Sequence, residues 1–478
     1  MSNIREALIH SSVAQYSVTA IGLLSTILIA RLLTPSEIGI YAIASAFVMM
    51  LNEFRIMGAS EYLIREKYTT EETVKSALGL SIGISWGFAL ALFSGSKYFA
   101  EFYETPELQN IIYLLLPGFI LAPYSSICFA LFSKNFDFYI QLKIKILSNF
   151  LMFAVTIGSI LLGFSFYSLA LGQLVKEATV FGIAIINKPA EMRVIPSFKG
   201  VSKIAYFGLN NSGANLLRKG ITIAPDLIIG KLGTVAQVAM FSRGLGLVNF
   251  LIDTPKMGIA PVVLPYLAKN YHQTNSVSEA YIKSSILLGG LVGPVLGVAS
   301  LVSLPMIRFM FGDQWDAAAP IASILCFWGI FKTAHWFSNN ALAAVKAEGI
   351  LIIKELLPLI ALVTGIILFY KNDLVTIAWV FLIVGAIEFI FVSFLVYFYA
   401  NVDINRYLLE WARIAVITIF SMAVCMAVGT FIPFQASPSW LVMVVLAIIM
   451  PVSWIVLLKL FKHPLYDEIL LNFKKLRS

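Results

Sequence analysis

Long apolar stretches of about 20 residues recur along the whole chain, and short polar segments separate them. A helix needs about 20 mainly apolar residues to cross the hydrocarbon core of a bilayer. The pattern therefore predicts an all-α, polytopic membrane protein with about 14 transmembrane helices. The predicted spans are 11–31, 38–58, 77–95, 110–132, 146–164, 166–187, 204–230, 235–253, 280–304, 317–337, 350–370, 374–399, 410–432 and 440–461.

Composition agrees with this fold class. Hydrophobic residues make up 59% of the 478 positions and charged residues only 13%, whereas soluble domains carry about 25% charged residues. This excludes a water-soluble fold. Cys128, Cys326 and Cys425 lie in apolar stretches without metal-ligand spacing, so we predict no metal site and no bound cofactor. The sequence also lacks the G-x-x-x-x-G-K-[ST] loop that binds ATP phosphates, which excludes direct ATP drive by this chain. We also predict that the chain is not an enzyme.

Basic residues are distributed unequally between alternate loops. One set of loops, together with both termini, carries most of the Lys and Arg, and Lys354 is counted in that set. Because cytoplasmic loops are enriched in Lys and Arg, we expect both termini in the cytoplasm and an even number of spans. The longest predicted loops lie on the same side, at 59–76, 188–203 and 256–279.

The chain repeats itself at an offset of about 200 residues. Thr34 corresponds to Thr234, and Glu37 corresponds to Gln237, in one register that continues without a gap. The repeat predicts an N-lobe at 1–200 with helices 1–6 and a C-lobe at 201–400 with helices 7–12. Helices 13–14 and a cytoplasmic tail at 401–478 look appended. Two lobes in parallel repeat are typical of transporters.

The seventh predicted span carries polar side chains on one face. Asn211, Asn215, Arg218 and Asp226 recur at helical spacing, and Gln15 holds the position equivalent to Asn215 in the first span. Charged groups inside a bilayer are costly and usually face a water-filled cavity. One interpretation is a wet, cationic cavity between the lobes that receives an anionic group. The alternative is internal pairing, such as Arg218 with Asp226.

Further ionisable residues fall inside other predicted spans. Lys176 and Arg243 are candidates for the same cationic cavity, while Lys332 lies close enough to a helix end to reach the membrane surface. Glu177, Asp226 and Glu388 are carboxylates that could bind a coupling H⁺ or Na⁺. The alternative for each carboxylate is a structural ion pair, and the sequence does not select the ion.

Three motifs carry a family resemblance. The segment ARLLTPSEIGIY at 30–41 resembles the ARLLTPxExGxY signature of the polysaccharide transporter family, the Wzx-type oligosaccharide flippases of the multidrug/oligosaccharidyl-lipid/polysaccharide superfamily. DLIIGKLG at 226–233 resembles a shortened DxLIIGKxLG, and FGDQWDAAAP at 311–320 resembles FGxxWxxAxP. One departure is that Ala239, Met240 and Phe241 stand where the second repeat would carry GxY.

The resemblance implies a flippase for exopolysaccharide, capsule or O-antigen (lipopolysaccharide) synthesis. Such a protein carries an undecaprenyl-pyrophosphate-linked oligosaccharide unit from the cytoplasmic to the periplasmic leaflet of the bacterial inner membrane by alternating access. Its partners would be this lipid-linked oligosaccharide, the membrane and, in addition, a polysaccharide polymerase and a chain-length regulator, but no nucleic acid. The residues expected to bind pyrophosphate or sugar are Arg218, Arg243, Lys176, Asn211, Asn215 and Gln15.

Three alternatives remain open at this point. A cation-coupled multidrug exporter and a lipid II flippase belong to the same superfamily. The first would favour an apolar site with carboxylates, which the basic residues oppose. A membrane-embedded glycan polymerase or ligase represents a different class, and it would be expected to carry a large periplasmic loop with reactive residues. The predicted periplasmic loops are short.

Overall fold

The computed structural model describes residues 2–477 apart from 56–57, 67–68, 193 and 348. The described residues form α-helices and short 3₁₀ turns without any β-strand, which confirms the all-α prediction. The helices are α1 (Ser2–Leu32), α2 (Pro35–Arg55), α3 (Ala59–Arg65), α4 (Glu71–Phe102), α5 (Glu107–Lys134), α6 (Phe138–Leu161), α7 (Tyr167–Ile186), α8 (Val201–Leu232), α9 (Val235–Thr274), α10 (Ser278–Leu301), α11 (Ser303–Phe311), α12 (Ala318–Ala334), α13 (Ser338–Ala344), α14 (Ile350–Phe369), α15 (Leu374–Ala400), α16 (Ile404–Phe431), α17 (Ser439–Leu460) and α18 (Pro464–Arg477).

Twelve helices within the described ranges are long and apolar enough to cross a membrane. They coincide with twelve of the fourteen predicted spans. The other two predictions, 204–230 and 317–337, fall on α8, which carries Arg218, Lys219 and Asp226, and on α12, which has only 17 residues. The count of fourteen and the cytoplasmic position of the termini stay predictions.

Helix α9 continues far beyond its predicted end. It has 40 residues, which at 1.5 Å per residue is about 60 Å, roughly twice the hydrocarbon thickness of a bilayer. Only Val235–Met257 is apolar enough to span. The prediction of a loop over 256–279 is therefore wrong for residues 256–274, because hydropathy shows where an apolar stretch ends and not where a helix ends.

The chain folds into two compact units, the N-terminal unit Met1–Ala239 and the C-terminal unit Met240–Ser478. In the N-terminal unit, α5 packs against α4 and α7, α6 packs against α1 and α7, and α8 packs against α2, α3 and α4. Glycines permit the close approach of this last group: a Cβ on Gly230 would lie 2.8 Å from Ile43 of α2. The lobe boundaries drawn from the repeat stay a prediction.

The predicted sequence repeat has an exact structural counterpart at two helix starts. The Thr34 amide donates to Glu37 Oε2 at 2.8 Å, and the Glu37 amide donates to Thr34 Oγ1 at 3.4 Å. Thr234 and Gln237 form the same reciprocal bonds at 2.8 and 3.3 Å. These are capping boxes, which satisfy amide groups that a helix start leaves without intrahelical partners. The repeat therefore reproduces the corner between α1 and α2 at the corner between α8 and α9.

In the C-terminal unit, α10 packs against α12 and α16. Its side towards α16 is a row of glycines at four-residue spacing. A Cβ on Gly289 would lie 2.8 Å from Trp411, one on Gly293 3.0 Å from Thr418, and one on Gly297 2.5 Å from Thr418. This spacing brings two helix backbones close together in a membrane. The helices without repeat partners, α16 and α17, are thus integral to the packing of the C-terminal unit.

Helix α4, the third long helix of the first repeat, carries glycines at the same spacing, but they have different neighbours. A Cβ on Gly79 would meet the Ser197 carbonyl at 2.1 Å, and one on Gly83 would lie 3.4 Å from the Phe198 ring. One on Gly87 would meet nothing within 4 Å. The connecting segment before α8 therefore covers only one end of the glycine row of α4. The glycine row of α10, in contrast, is covered by a complete helix, α16.

Candidate substrate and ion site

The polar face of α8 was predicted to line a cavity, and the structure describes part of it. Arg218 is exposed near the middle of α8, and Asp226 is half-buried two turns later. Gln15 is half-buried on α1. The side chains of Asn211 and Asn215 lie outside the described part of the chain. Whether these residues form one site with the C-terminal unit stays a prediction.

Lys219, the residue after Arg218, is held by an ion pair within the N-terminal unit. Its ammonium lies 3.7 Å from Glu53 Oε1 on α2. Consecutive residues on a helix point about 100° apart, so pairing of Lys219 with α2 directs Arg218 to a different side of α8. This geometry supports a ligand-binding role for Arg218 rather than Lys219.

The adjacent Lys176 and Glu177 on α7 have different surroundings. Lys176 is half-buried and has no hydrogen-bond or ion-pair partner among the described residues. Glu177 accepts a hydrogen bond from Gln173 at 2.9 Å. A Cβ added to Gly118 of α5 would lie only 3.3 Å from the Cγ atom of Glu177. Glu177 is thus packed against α5, whereas the charge of Lys176 is available to a ligand.

Arg243 on α9 is clamped by aromatic rings. Its guanidinium carbon lies 5.5 Å from the centroid of Phe311 and 5.3 Å from that of Trp315. Its Nε atom is buried without a hydrogen-bond partner among the described residues. Cation–π contacts of this kind contribute about 0.5–2 kcal/mol. Phe311 and Trp315 belong to the FGDQWDAAAP motif. The structure therefore gives Arg243 a packing role within this motif. Its predicted role in substrate binding has to be compatible with these ring contacts.

The same motif contains a second basic contact. Arg308 donates from Nε and Nη2 to the two carboxylate oxygens of Asp316, at 2.8 and 2.6 Å. This forked geometry is the strong form of an arginine–carboxylate pair. Hydrogen bonding to Asp316 raises the pKa of Arg308 above its ordinary value. Gly312, with φ near +100°, makes the turn between the two residues.

The C-terminal unit buries an ion pair that the loop-charge analysis misplaced. Lys354 and Glu355 are 6% and 2% exposed on α14, and Lys354 Nζ lies 2.9 Å from Glu355 Oε1. Asn339 of α13 donates to the same oxygen at 3.0 Å. Lys354 is therefore not a loop charge. The sequence pattern placed Lys354 in a loop because it lies only one helical turn after the start of α14 at Ile350.

Lys332 and Glu388 lie in the same part of the C-terminal unit. The Lys332 ammonium lies 4.4 Å from the ring centroid of Trp328 and 5.7 Å from that of Trp336. Glu388 lies nearby on α15, since the rings of Phe331 and Phe389, the residues next to Lys332 and Glu388, are 5.9 Å apart. Neither side chain has an ion-pair partner within 4.0 Å among the described residues. Together with Lys354 and Glu355 they form what we call the charge cluster.

A buried histidine continues this polar region. The His335 ring lies between hydrogen-bonding neighbours, with Nδ1 2.7 Å from the Tyr281 hydroxyl and Nε2 2.8 Å from Ser393 Oγ. Its ring stacks on Tyr407 at 4.9 Å. In the sequence, His335 is isolated from the other three histidines and has no metal-ligand spacing. The available signal was that His335, Lys354 and Glu355 all interrupt apolar stretches. The described residues contain no cluster of three or more His, Cys, Asp or Glu that could hold a metal ion.

A helical bundle with twelve span-like helices, an internal repeat and ionisable groups in its interior defines a multi-pass membrane transporter. Residues 28–320 match the model of the polysaccharide biosynthesis protein family, and the chain belongs to that family. The resemblance to Wzx-type polysaccharide transporters is thereby confirmed. The chain is a multi-pass bacterial membrane protein.

Curated relatives agree with this assignment. The teichuronic acid biosynthesis protein TuaB of Bacillus subtilis is 23% identical over 414 residues, 83% of each chain. The succinoglycan biosynthesis transport protein ExoT of Rhizobium meliloti is 24% identical, over 62% of this chain and 60% of its own length. The lipopolysaccharide biosynthesis protein WzxC of Escherichia coli is 22% identical, over 68% of this chain and 66% of its own length.

Solved structures show the same fold at low identity. The lipid II flippase MurJ in an inward closed conformation superimposes with a TM-score of 0.79 at 14% identity, covering 96% of this chain and 99% of that one. An inward-facing multidrug transporter of the MATE family gives 0.62 at 13% identity, covering 83% and 99%. At these identities the likeness concerns the fold alone.

Proposed function

We propose that this chain translocates a lipid-linked oligosaccharide across the bacterial membrane for the synthesis of a surface polysaccharide. The observation that carries the proposal is membership of the polysaccharide biosynthesis protein family over residues 28–320. The relatives' names support it, since they refer to teichuronic acid, succinoglycan transport and lipopolysaccharide. The cargo is an undecaprenyl-pyrophosphate-linked unit that moves from the cytoplasmic to the periplasmic leaflet of the inner membrane.

Substrate binding in this proposal depends on charge inside the membrane. The pyrophosphate meets Arg218, whose planar guanidinium matches phosphate oxygens, together with Lys176 and Arg243. The exposure of Arg218 and the lack of a described partner for Lys176 support these roles. Asn211, Asn215 and Gln15 would hydrogen-bond sugar hydroxyls. The two repeats rock against each other, and the site opens to one side of the membrane at a time.

The driving ion is H⁺ or Na⁺, and Glu388 is our preferred coupling residue. Glu177 accepts a hydrogen bond from Gln173, and Asp226 lies on a helix rich in polar groups. Glu388 has no hydrogen-bond partner among the described residues and lies near Lys354, Glu355 and Lys332. A carboxylate so placed can exchange its charge for a bound cation. We propose no covalent chemistry, and a polymerase and a chain-length regulator as partners.

Deleting the gene in its host tests the function directly. We expect loss of the surface polymer and accumulation of undecaprenyl-linked units on the cytoplasmic leaflet, and mass analysis of these lipids identifies the cargo. Full-length polymer without accumulated intermediate, in a host with no second flippase, would overturn the proposal. Complementation with an Arg218→Ala chain should leave the defect, whereas Lys97→Ala, which changes an exposed lysine, should restore polymer.

The alternatives give different results in the same host. A lipid II flippase would produce a defect in peptidoglycan and lysis, and a multidrug exporter would show cation-dependent efflux with normal polymer. A polymerase or ligase would leave single repeat units on the periplasmic leaflet. Leaflet-resolved labelling of the accumulated lipid distinguishes these outcomes.

A further inference from the structure

We infer that Lys332 and Glu388 form an exchange site in the C-terminal unit. At this site an oxyanion of the cargo replaces the Glu388 carboxylate as the counter-charge of Lys332, and Glu388 takes up a proton from water. The oxyanion is a sugar carboxylate or a phosphate. The inference rests on the proposed function for the origin of the anion, and it adds a binding residue and the linkage between cargo and proton.

The surroundings of Lys332 leave its charge incompletely compensated. Its ammonium is held over Trp328 and Trp336, and Lys256 Nζ lies over the same Trp336 ring at 4.1 Å. Two ammonium groups over one indole repel each other. Lys256 is paired with Asp253, whereas Lys332 has no carboxylate within ion-pair distance among the described residues. An anion that reaches Lys332 would therefore gain a full charge interaction in a region of low dielectric.

Glu388 is the group with which such an anion has to compete. Lys332 and Glu388 lie on helices that pack against each other, α12 and α15, and Glu388 attracts Lys332 as well as Lys354. Like Lys332, Glu388 is half-buried, and it has no hydrogen-bond partner in the described chain. While Glu388 is ionised, it neutralises Lys332 in part and repels a second anion. Once Glu388 is protonated, both effects vanish.

The other charges of the region already have fixed partners. Lys354 is bound to Glu355 at 2.9 Å, with Asn339 on the same carboxylate oxygen. Asp253 and Lys256 are three residues apart on α9 and contact each other directly. His335 is hydrogen-bonded at both ring nitrogens. Lys332 and Glu388 are thus the two members of the region that have no direct ion-pair or hydrogen-bond partner among the described residues.

Linkage fixes the sign of the effect. If protonation of Glu388 favours anion binding at Lys332, anion binding must favour protonation of Glu388 by the same factor. Affinity for the anion should therefore fall as the pH rises, and binding should draw about one proton from the buffer. Couplings between sites in one protein are commonly 5–150-fold, and we expect about tenfold between pH 6 and pH 8.

The test measures binding by the full-length protein in nanodiscs, without any translocation. Isothermal titration calorimetry is run with sodium glucuronate, inorganic pyrophosphate and neutral methyl glucoside, each at pH 6 and pH 8. Two buffers of different ionisation enthalpy report the protons taken up. Glu388→Gln is the matched reference. It removes the titration of Glu388, so any pH dependence that remains comes from titration of the probe anion or of other groups. Lys371→Gln, at an exposed position, controls for net charge.

From pH 6 to pH 8, we expect the Kd of the natural chain to rise about tenfold more than the Kd of Glu388→Gln. Proton uptake on binding is expected only in the natural chain. Lys332→Gln should bind weakly at both pH values, and Lys332→Arg should keep the linkage. Glucuronate or pyrophosphate, whichever shows the effect, identifies the anion. An equal pH dependence in Glu388→Gln, no binding of either anion, or normal binding by Lys332→Gln overturns the inference.

Failure of this inference and failure of the proposed function are separable. Proton-linked binding in nanodiscs together with normal polysaccharide in the deletion strain would retain the exchange site and reject the flippase. Accumulated lipid-linked units together with pH-independent binding would retain the flippase and reject the exchange site.

Discussion

The two units differ in how they treat polar groups in their interiors. The N-terminal unit buries hydroxyl groups that bond to nearby carbonyls: Ser85 donates to Phe119 O, and Ser76 donates to Lys199 O at 2.6 Å. The C-terminal unit buries the ion pair of Lys354 and Glu355 and holds Lys332 over tryptophan rings. Among the described residues, the fully buried polar groups of the N-terminal unit are neutral, whereas those of the C-terminal unit also include ionisable side chains.

Neutral hydrogen bonds and buried charges differ in what they contribute to stability and in how they respond to pH. A serine hydroxyl that bonds to a carbonyl keeps the same charge at any pH and ion concentration. A buried ion pair costs desolvation energy, and replacing it by apolar residues is often neutral or stabilising. Buried charges are therefore weak evidence for stability and better evidence for a group whose charge state matters. The fully buried polar groups of the N-terminal unit are therefore the more inert ones, and those of the C-terminal unit include groups that can respond to protons or anions.

The largest expected effect is loss of one member of the ion pair. Glu355→Ala leaves Lys354 buried and unpaired, which should lower the free energy of unfolding by about 3–5 kcal/mol. Ser85→Ala, in the N-terminal unit, should cost about 1 kcal/mol. Thermal unfolding in detergent measures both. The double change Lys354→Met with Glu355→Leu should recover most of the loss, and equal losses for the two single variants would remove the contrast between the units.

A matched pair of substitutions in the two glycine rows should have smaller effects on stability. Gly297→Ala places a Cβ 2.5 Å from Thr418, and such overpacking should cost about 1–3 kcal/mol of stability. Gly87→Ala, at the last glycine of the row on α4, meets nothing within 4 Å and should gain up to about 1 kcal/mol from helix propensity. Melting temperatures that shift in opposite directions would support the difference in packing. A loss for Gly87→Ala would contradict it.

The aromatic clamp on Arg243 should be worth less again. Arg243→Met should lower stability by about 0.5–2 kcal/mol through loss of the contacts with Phe311 and Trp315. The residue 200 positions earlier, Ile43, is fully buried and has no charge to lose. A double-mutant cycle with Trp315→Leu measures the coupling. A coupling energy near zero would show that Arg243 does not depend on the ring.

The last effect is confined to the docking of α18 and depends on pH. His463 is buried against Gly290, its Nδ1 accepts the Leu465 amide at 3.2 Å, and burial together with Arg413 lowers its pKa to about 4. The ring is neutral when α18 is docked, so docking is strongest above pH 6.5. It should weaken by up to tenfold per pH unit between about 6.5 and 4.

Limited proteolysis of α18 over this pH range checks the prediction. The segment at 190–200, which covers one end of the glycine row of α4, contains no histidine and serves as the internal reference. We expect its cleavage to change less over the same range. A parallel pH profile for the two segments would show that His463 is not the titrating group.

Much of the fold was predictable because membrane insertion is governed by local sequence. Apolar stretches identified twelve span-like helices of the described chain, and two positions of the predicted sequence repeat, Thr34 and Glu37, form a capping box that Thr234 and Gln237 reproduce. The extent of α9 was not predictable from hydropathy. A helix can continue into water once its backbone hydrogen bonds are formed, so the end of the apolar stretch carried no information about Thr274.

The candidate site was predictable in residue type but not in partners. Arg218 and Glu388 could be selected because a charge inside an apolar stretch is visible in the sequence. The rings that clamp Arg243 lie about 70 residues later in the chain, and no spacing rule connects them. Lys354 was misplaced because a charge near the end of a span reads as a loop charge until its partner is known.

The glycine row of α10 also has a consequence for biogenesis. Its covering helix, α16, leaves the ribosome more than 100 residues after α10. A nascent chain that has been made only as far as Ala400 therefore exposes Gly289, Gly293 and Gly297 to lipid or to the insertion machinery. In the N-terminal unit, Ser197 and Phe198, which cover one end of the glycine row of α4, follow the end of α4 at Phe102 after a similar length of chain. Truncation before α16 should thus yield a chain that inserts but is recognised by membrane quality-control proteases.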